Sequence, residues 1–333
     1  MNTAARLALL LGVLASTACA AESEDVDTDE GAVTSASGPM TPGIERQRAG
    51  TGNVVETMQK GVHLGNAHTL ALISKVAYAN APTPETLAAA GVPATTSVVS
   101  FNNRCTGGDA IFVESSTYAV LAFRGTQMDS NLDIEIDKDE AFHDFPLQRD
   151  GKSGRVHNGF RRQFESLWNA APDCGVAEGI SAKLAAYSSN KPLYFTGHSL
   201  GGALATLALA QTFVEGDLPP VAAVYTYGAP KVGDRLFAEL VGDRSVASKT
   251  PVYRFVHAND IVPATPRPLA WTESWQHVKP TGAVEHAFQV WFDARSTRIG
   301  TMAMYLGFSI PDHLLDGYIK DLAANARLRS ELR

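Results

Sequence analysis

Short apolar runs alternate with longer amphipathic stretches along most of this chain. Three apolar runs follow one another at residues 192–196, 221–227 and 252–256. Each is between four and eight residues long, which is typical of buried strands. Residues 203–214 and 235–240, which lie between them, show helical patterning. Strands that alternate with helices predict an α/β fold with a central, mostly parallel, twisted sheet flanked by helices.

The same patterns extend toward the N-terminus. Residues 109–114 and 117–123 are two β-rich runs around Ser115-Ser116, which predicts a hairpin. Three further stretches have helical spacing: 68–80, 159–169 and 176–189. There is no internal repeat and no second linker, so we predict a single domain over residues 53–333.

Composition narrows the range of functions. The chain has 333 residues, is 45% hydrophobic and carries a net charge of −7 without a long basic run, which argues against a nucleic-acid partner. Its three cysteines lie in no CxxC or other ligand spacing, so we predict no metal and no cofactor.

The N-terminus has the pattern of an export signal. Arg6 precedes an apolar stretch at residues 7–15 and then small residues, which predicts a signal peptide over residues 1–20. Two processing routes stay open: cleavage after Ala20, which gives a secreted protein, or acylation of Cys19, which gives a membrane-anchored lipoprotein. Residues 21–52 are acidic, rich in Ser, Thr, Gly and Pro, and predicted to be a disordered tether.

Two cysteines remain after the signal segment. Cys105 and Cys174 would meet an oxidising compartment in an exported protein, where a disulfide can form. Two free buried thiols are the alternative, and spacing does not decide between them.

The segment 197–202, Gly-His-Ser-Leu-Gly-Gly, is the strongest chemical signal. It contains a GxSxG motif between a predicted strand and a predicted helix, which is the setting of a nucleophile elbow. The glycines permit a tight turn, and Ser199 is exposed at its apex. Leu200, the next residue, supplies a backbone N–H toward an oxyanion.

A serine nucleophile needs a base, and the base needs an orienting acid. Asp260 lies just past the strand at 252–256, at the sheet edge where an acid is needed. Three histidines downstream are candidates for the base: His277, His286 and His313. We favour His313, which lies ahead of an amphipathic run, over His286. We expect His198 to point away from the nucleophile and His157 to be a packed, hydrogen-bonded histidine.

A second oxyanion donor is expected from a loop after an earlier strand. The segment 123–126, Phe-Arg-Gly-Thr, ends the second strand of the predicted hairpin. Gly125 allows close approach there, and Thr126 offers its N–H and its hydroxyl.

Together these segments resemble the class 3 (fungal-type) lipases. Five motifs occur in the order and approximate spacing of that family: residues 123–126, 156–160, 197–202, 227–233 and 259–263. The resemblance implies an α/β-hydrolase fold that hydrolyses carboxylic esters, typically triacylglycerols. It implies Ser199 as nucleophile, Asp260 as acid, His313 as base, and Thr126 and Leu200 as oxyanion donors.

The resemblance also places a lid at about residues 127–146, and here the chain departs from the lipase pattern. Residues 129–140 are strongly acidic, and Leu132, Ile134 and Ile136 alternate with a period of two. An interfacial lid helix shows a broad apolar face instead. The segment is closer to the polar flap of feruloyl esterases, which favours shorter or partly soluble esters.

We therefore predict a serine carboxylic-ester hydrolase, in the first place a triacylglycerol lipase, whose partner is a lipid or other ester substrate. An esterase for short-chain or aryl esters is the alternative within this chemistry, and an acyltransferase would use the same residues. A catalytically inactive lipid-binding surface module is the alternative from another class.

Overall fold

The computed structural model describes residues 62–92, 95–126, 141–266, 275–283, 288–292, 299–300 and 311–331, all within one compact unit, Thr34–Arg333. The predicted signal peptide at 1–20 and tether at 21–52 lie outside these residues. Within the described ranges, no helix is long and apolar enough to cross a membrane.

The core of the domain is an eight-stranded sheet with the order β1-β2-β3-β6-β7-β8-β9-β10. Its strands are β1 (Thr95–Asn103), β2 (Gly108–Ser115), β3 (Ala119–Phe123), β6 (Leu193–His198), β7 (Val221–Tyr227), β8 (Val252–His257), β9 (Gln289–Phe292) and β10 (Ile299–Gly300). Strands β3, β6, β7, β8 and β9 are parallel, whereas the pairs β1–β2, β2–β3 and β9–β10 are antiparallel. The predicted mostly parallel sheet is confirmed.

Helices cover both faces of this sheet. They are α1 (Leu64–Val76), α2 (Pro84–Ala89), α3 (Asn158–Trp168), α4 (Ile180–Ala185), α5 (Leu200–Glu215), α6 (Arg235–Ser248) and α7 (Leu315–Glu331). Helices α3 to α6 contribute to one apolar cluster and α1, α2 and α7 to the other. Alternate strand residues supply the two clusters, so that Leu121 and Phe195 face one and Val120 and Tyr194 the other. The helices' apolar faces are thereby buried on both sides.

The predicted elements exist, with shifted ends. The first helix begins four residues earlier than expected, at Leu64, because the ring of His63 accepts a hydrogen bond from the N–H of Asn66 and so caps it. The helix predicted at 176–189 is reduced to Ile180–Ala185. The helix predicted at 235–240 continues to Ser248 and ends where Lys249 adopts a left-handed conformation.

A second, two-stranded sheet was not predicted. Strands β4 (Phe142–Arg149) and β5 (Lys152–His157) pair as an antiparallel hairpin. Pro146 and several polar residues interrupt the pattern of β4, so its sequence resembles a loop. Arg149 of this hairpin hydrogen-bonds Asp243 of α6, and Phe145 packs edge-on against Phe237. These tertiary contacts stabilise a hairpin that its sequence only weakly favours.

Candidate active site

Ser199 lies at a tight turn between β6 and α5. Its φ of 58° and ψ of −131° are unusual for a residue with a side chain. The turn packs closely against the end of β3, because a Cβ added to Gly201 would lie 2.2 Å from the carbonyl oxygen of Phe123. The N–H of Ser199 donates to the carbonyl of Tyr227 over 2.9 Å. Sheet and helix thus fix the serine at the carboxyl edge of the parallel strands.

Asp260 lies in the turn after β8, at the same edge of the sheet, and is fully buried. Both carboxylate oxygens have partners. Oδ1 accepts from the N–H of Val262 at 2.9 Å, and Oδ2 accepts from the hydroxyl of Tyr318 at 2.6 Å. Hydrogen bonds to an ionised carboxylate offset the cost of its burial, so the site can hold an anion here.

His313 connects the two. It ends a 3₁₀ turn, Pro311–His313, just before α7, and is 1% exposed. Its Nδ1 lies 2.8 Å from Oδ2 and 3.0 Å from Oδ1 of Asp260, and its Nε2 lies 2.9 Å from Oγ of Ser199. The structure therefore brings His313 together with Asp260 and Ser199, which lie 53 and 114 positions before it in the sequence.

The hydrogen bonds fix which atom carries which proton. A carboxylate only accepts, so Nδ1 of His313 donates to Asp260. Nε2 of the neutral ring is then the acceptor, and the hydroxyl of Ser199 donates to it. This arrangement can remove a proton from the serine while the buried carboxylate stabilises the resulting imidazolium.

The two expected oxyanion donors flank the serine. Leu200 is the first residue of α5, where backbone N–H groups have no partner within the helix. Thr126 is exposed and follows Gly125, whose added Cβ would lie 3.1 Å from the Cβ of Ser199. The loop after β3 and the start of α5 thus both lie next to Ser199.

The other histidines have different surroundings. His277 is buried, and its Nε2 donates to the carbonyl of Pro263 at 2.7 Å. His286 lies outside the described residues. His157 is fully buried, stacks on Phe160 and accepts a hydrogen bond from its N–H, as expected of a packed histidine.

His198 has partners that the sequence did not indicate, and neither of them is the Ser199 side chain. Its ring lies 4.6 Å from the ring of His313, tilted by 30°, and its Nε2 lies 2.7 Å from the carbonyl oxygen of His313. The turn at Ser199 reverses the chain, so the end of β6 lies beside the His313 segment. Burial, and to a smaller extent the neighbouring His313, hold the pKa of His198 well below 6.5.

Sequence reasoning also missed two tyrosines. The Tyr318 hydroxyl donates to Asp260, and Tyr78 lies 2.9 Å from Nδ1 of His198. Burial raises the pKa of Tyr78 above its ordinary value, so this hydroxyl stays protonated. Neither residue belongs to a motif, and a tyrosine within an amphipathic stretch is usually interpreted as a core residue. No pattern in the chain singles them out.

The predicted lid is partly described. Residues 127–140, with the acidic stretch and its alternating Leu132, Ile134 and Ile136, lie outside the described residues. Residues 142–146 belong to β4, and residues 142–144 pair with β5, which corrects their assignment to the lid. Pairing satisfies backbone groups that a mobile lid would leave to water.

Cys105 and Cys174 form a disulfide. It links the turn between β1 and β2 to the 3₁₀ turn Pro172–Cys174, and the carbonyl of Cys174 accepts from the N–H of Arg104 beside it. Of the two alternatives open from the sequence, the structure therefore contains the disulfide. In the part of the chain that the structure describes, no cluster of three or more His, Cys, Asp or Glu could hold a metal ion.

Comparison with known proteins gives a consistent picture. Residues 120–269 match the family model "Lipase (class 3)". The chain is 36% identical over 131 residues to secreted mono- and diacylglycerol lipase 1 of Fusarium solani, covering 38% of this chain and 33% of that protein. It is 30% identical over 175 residues to secreted mono- and diacylglycerol lipase A of Penicillium cyclopium, covering 53% and 50%. The matches thus span half or less of these relatives.

Solved structures extend the likeness to the fold. Lipase II from Rhizopus niveus superposes with a TM-score of 0.56 at 24% identity, over 75% of this chain and 92% of that one. The lipase from Rhizopus microsporus var. chinensis gives a TM-score of 0.55 at 24% identity, over 75% and 85%. The expected α/β-hydrolase fold is confirmed.

Proposed function

We propose that this chain, whose residues 120–269 belong to the class 3 lipase family, is a serine hydrolase of carboxylic esters. The observation that carries the proposal is the continuous hydrogen-bonded line from Ser199 through His313 to the buried Asp260. Such a line activates a hydroxyl as a nucleophile.

In the proposed reaction, Oγ of Ser199 attacks the ester carbonyl while Nε2 of His313 takes its proton. Asp260 holds the ring and stabilises the imidazolium. The N–H groups of Thr126 and Leu200 stabilise the tetrahedral oxyanion. The intermediate then collapses, the alcohol leaves with the proton from His313, and an acyl group stays on Ser199. Water, deprotonated by His313, attacks this acyl-enzyme and releases the acid.

The proposed substrate is an acyl ester of a lipid, with triacylglycerols and partial glycerides as the first class to test. The names of the Fusarium solani and Penicillium cyclopium relatives, both mono- and diacylglycerol lipases, support this class. The acidic residues 129–140 supply the specific reason to test shorter or aryl esters as the second class.

Two measurements on the full-length protein and on Ser199→Ala test the chemistry. A fluorophosphonate probe should label the wild-type protein covalently and leave Ser199→Ala unlabelled, since labelling needs an activated serine. Turnover of nitrophenyl esters should fall by about 10³ to 10⁶ in Ser199→Ala. Near-wild-type turnover in this variant contradicts the assignment of the nucleophile, and a wild-type protein that is folded but unlabelled supports the lipid-binding module instead.

A series of nitrophenyl esters then separates the two substrate classes. Rates are measured from short to long acyl chains, below and above the solubility limit of each ester. A steep rise above the limit on long chains supports a lipase that acts at interfaces. Ordinary saturation on short chains without such a rise supports an esterase for soluble substrates. Added alcohol acceptors in the same assay reveal transfer in place of hydrolysis.

We further propose that the protein is exported. The signal pattern at residues 1–20, the disulfide Cys105–Cys174 and the secreted relatives support export. Mass spectrometry of the mature N-terminus distinguishes cleavage after Ala20 from an acylated Cys19.

A further inference from the structure

His198 forms hydrogen bonds through both ring nitrogens. Nε2 lies 2.7 Å from the carbonyl oxygen of His313, and Nδ1 lies 2.9 Å from the hydroxyl oxygen of Tyr78. A carbonyl oxygen only accepts, so Nε2 carries the proton. Burial keeps the ring neutral, which leaves Nδ1 as an acceptor. The hydroxyl of Tyr78 must therefore donate to Nδ1.

The oxygen of Tyr78 also lies against Gly125, in the loop after β3. The approach is close, because a Cβ added to Gly125 would lie 2.3 Å from this oxygen and 2.5 Å from the carbonyl oxygen of His198. A chain of contacts thus runs from Gly125 to the Tyr78 hydroxyl, and from there through His198 to the carbonyl of His313. Both hydrogen bonds of His198 have one direction: the Tyr78 hydroxyl donates to Nδ1, and Nε2–H donates to the carbonyl of His313.

The two ends of this chain belong to different parts of the site. Gly125 immediately precedes Thr126 in the loop after β3, which borders the serine on one side. His313 is the residue whose Nε2 lies 2.9 Å from Ser199. Hydrogen bonds in a buried chain polarise one another, so the chain acts as a unit.

We propose that Tyr78 and His198 are positioning residues that hold the oxyanion loop and the base at a fixed separation across Ser199. The inference rests on the proposed function, because these two residues would position groups that take part in the proposed ester hydrolysis. Neither side chain touches the reacting atoms. Tyr78 acts through its contact with Gly125, which precedes the proposed oxyanion donor Thr126, and His198 acts through the backbone carbonyl of the proposed base His313.

A double-mutant cycle tests the proposal. Tyr78→Phe removes the hydroxyl and keeps the ring, and His198→Phe removes both nitrogens. Each single variant should lower kcat on a soluble nitrophenyl butyrate by about 10- to 100-fold, because misplacement of a catalytic group by about 1 Å costs this much. KM should change little. The kcat of the double variant should be about as low as that of the more impaired single variant. A second break in the same chain of contacts adds little, because the first break already disconnects its two ends.

Three comparisons separate positioning from a merely structural role. His198→Gln, which keeps a side-chain donor and acceptor, should recover part of the activity lost in His198→Phe. Tyr187→Phe removes a hydroxyl that donates to the carbonyl of Lys191 and should leave kcat unchanged. Melting temperatures are measured for all variants. If His198→Phe does not fold, His198→Leu, which also lacks a side-chain donor and acceptor, replaces it in the cycle.

The outcomes are distinct. Losses in kcat that multiply in the double variant, or lower melting temperatures with an unchanged kcat, overturn the inference. A wild-type protein that neither hydrolyses esters nor reacts with a fluorophosphonate overturns the proposed function itself, before any variant is compared.

Discussion

The proposed nucleophile and the proposed base of this site are held in two different ways. Ser199 is fixed by backbone geometry, in a turn with a φ of 58° between a strand and a helix that adjoin it in sequence. His313 ends a three-residue 3₁₀ turn and depends on side chains from distant elements. Ser199 is therefore placed by local sequence and close backbone packing, whereas His313 is placed by tertiary hydrogen bonds.

The segment that carries the base has several such bonds. The carbonyl of His313 accepts from His198, and its ring donates to Asp260. The preceding residue, Asp312, accepts from His257 Nδ1 through its carbonyl at 2.9 Å and from the N–H of Asn259 through its carboxylate at 3.1 Å. A side chain that crowds the turn should therefore displace Ser199 and lower kcat strongly. Removing single hydrogen bonds around His313 should lower kcat in smaller steps.

Among changes that leave Ser199, His313 and Asp260 in place, the largest effect should come from crowding the turn at Ser199. In Gly201→Ala the new methyl group would meet the carbonyl of Phe123 at 2.2 Å, so the start of α5 must shift and take the N–H of Leu200 with it. We expect kcat to fall by about 10²- to 10³-fold, the cost of losing one oxyanion donor. Overpacking should also lower the free energy of unfolding by about 1–3 kcal/mol.

Steady-state kinetics and denaturant unfolding measure both effects. A folded Gly201→Ala variant with wild-type kcat would show that the turn tolerates displacement, and the contrast between the two regions would then be wrong.

A tenfold effect is expected at the acid that orients the base. Tyr318→Phe removes the hydroxyl that donates to Oδ2 of Asp260 at 2.6 Å, in a fully buried site. A hydrogen bond to a charged group contributes about 1.5–3 kcal/mol, so stability should fall by this order and kcat by about tenfold. Tyr225→Phe is the matched control: it removes another buried tyrosine hydroxyl, which the backbone of His63 contacts. It should lower stability and leave kcat unchanged.

An equal loss of kcat in Tyr225→Phe would mean that any damage to this tyrosine-rich layer impairs turnover. The specific role of Tyr318 at the carboxylate would then be excluded.

A smaller effect is expected where His257 holds the backbone of the base segment. Its Nδ1 contacts the carbonyl of Asp312, and its Nε2 contacts Asp321 of α7 at 3.1 Å. His257→Phe should lower kcat by about three- to tenfold, because several other bonds still hold the segment. Asp321→Asn weakens only the contact with α7 and should have a lesser effect on kcat. If Asp321→Asn lowers kcat more than His257→Phe does, then His257 acts through its contact with α7 and not through the carbonyl of Asp312.

The smallest effect concerns stability at acid pH. The pKa of buried His198 is lowered, so below pH 6.5 the unfolded chain binds a proton that the folded protein does not. The contribution of His198 to the free energy of unfolding is therefore fully present above pH 6.5. It decreases as the pH falls below 6.5, by at most about 1.4 kcal/mol per pH unit. His198→Gln should remove this contribution. Denaturant unfolding from pH 7.5 to 5 should give a shallower acid loss in the variant, and an unchanged slope would contradict it.

Much of the fold could be predicted from hydrophobic periodicity alone. The run at 221–227 became a strand with those bounds, and the hairpin and the helix after Ser199 formed where apolar spacing indicated them. Buried strands and amphipathic helices have strong periods, because each must present apolar side chains to the core. The hairpin of β4 and β5 has no such period, and cross-strand pairing and its packing on α6 decided it.

The sequence by itself determined where a strand turns tightly into a helix at Ser199, because glycine spacing and apolar runs are local properties. It also placed Asp260 at a strand end. Only the tertiary structure decided which histidine meets the serine, that Cys105 reaches Cys174, and that Tyr78, His198 and Tyr318 surround the site. The physical reason is range: a turn is set by neighbours in the chain, whereas these contacts join residues 58 to 120 positions apart that meet only after the sheet and its helices have packed.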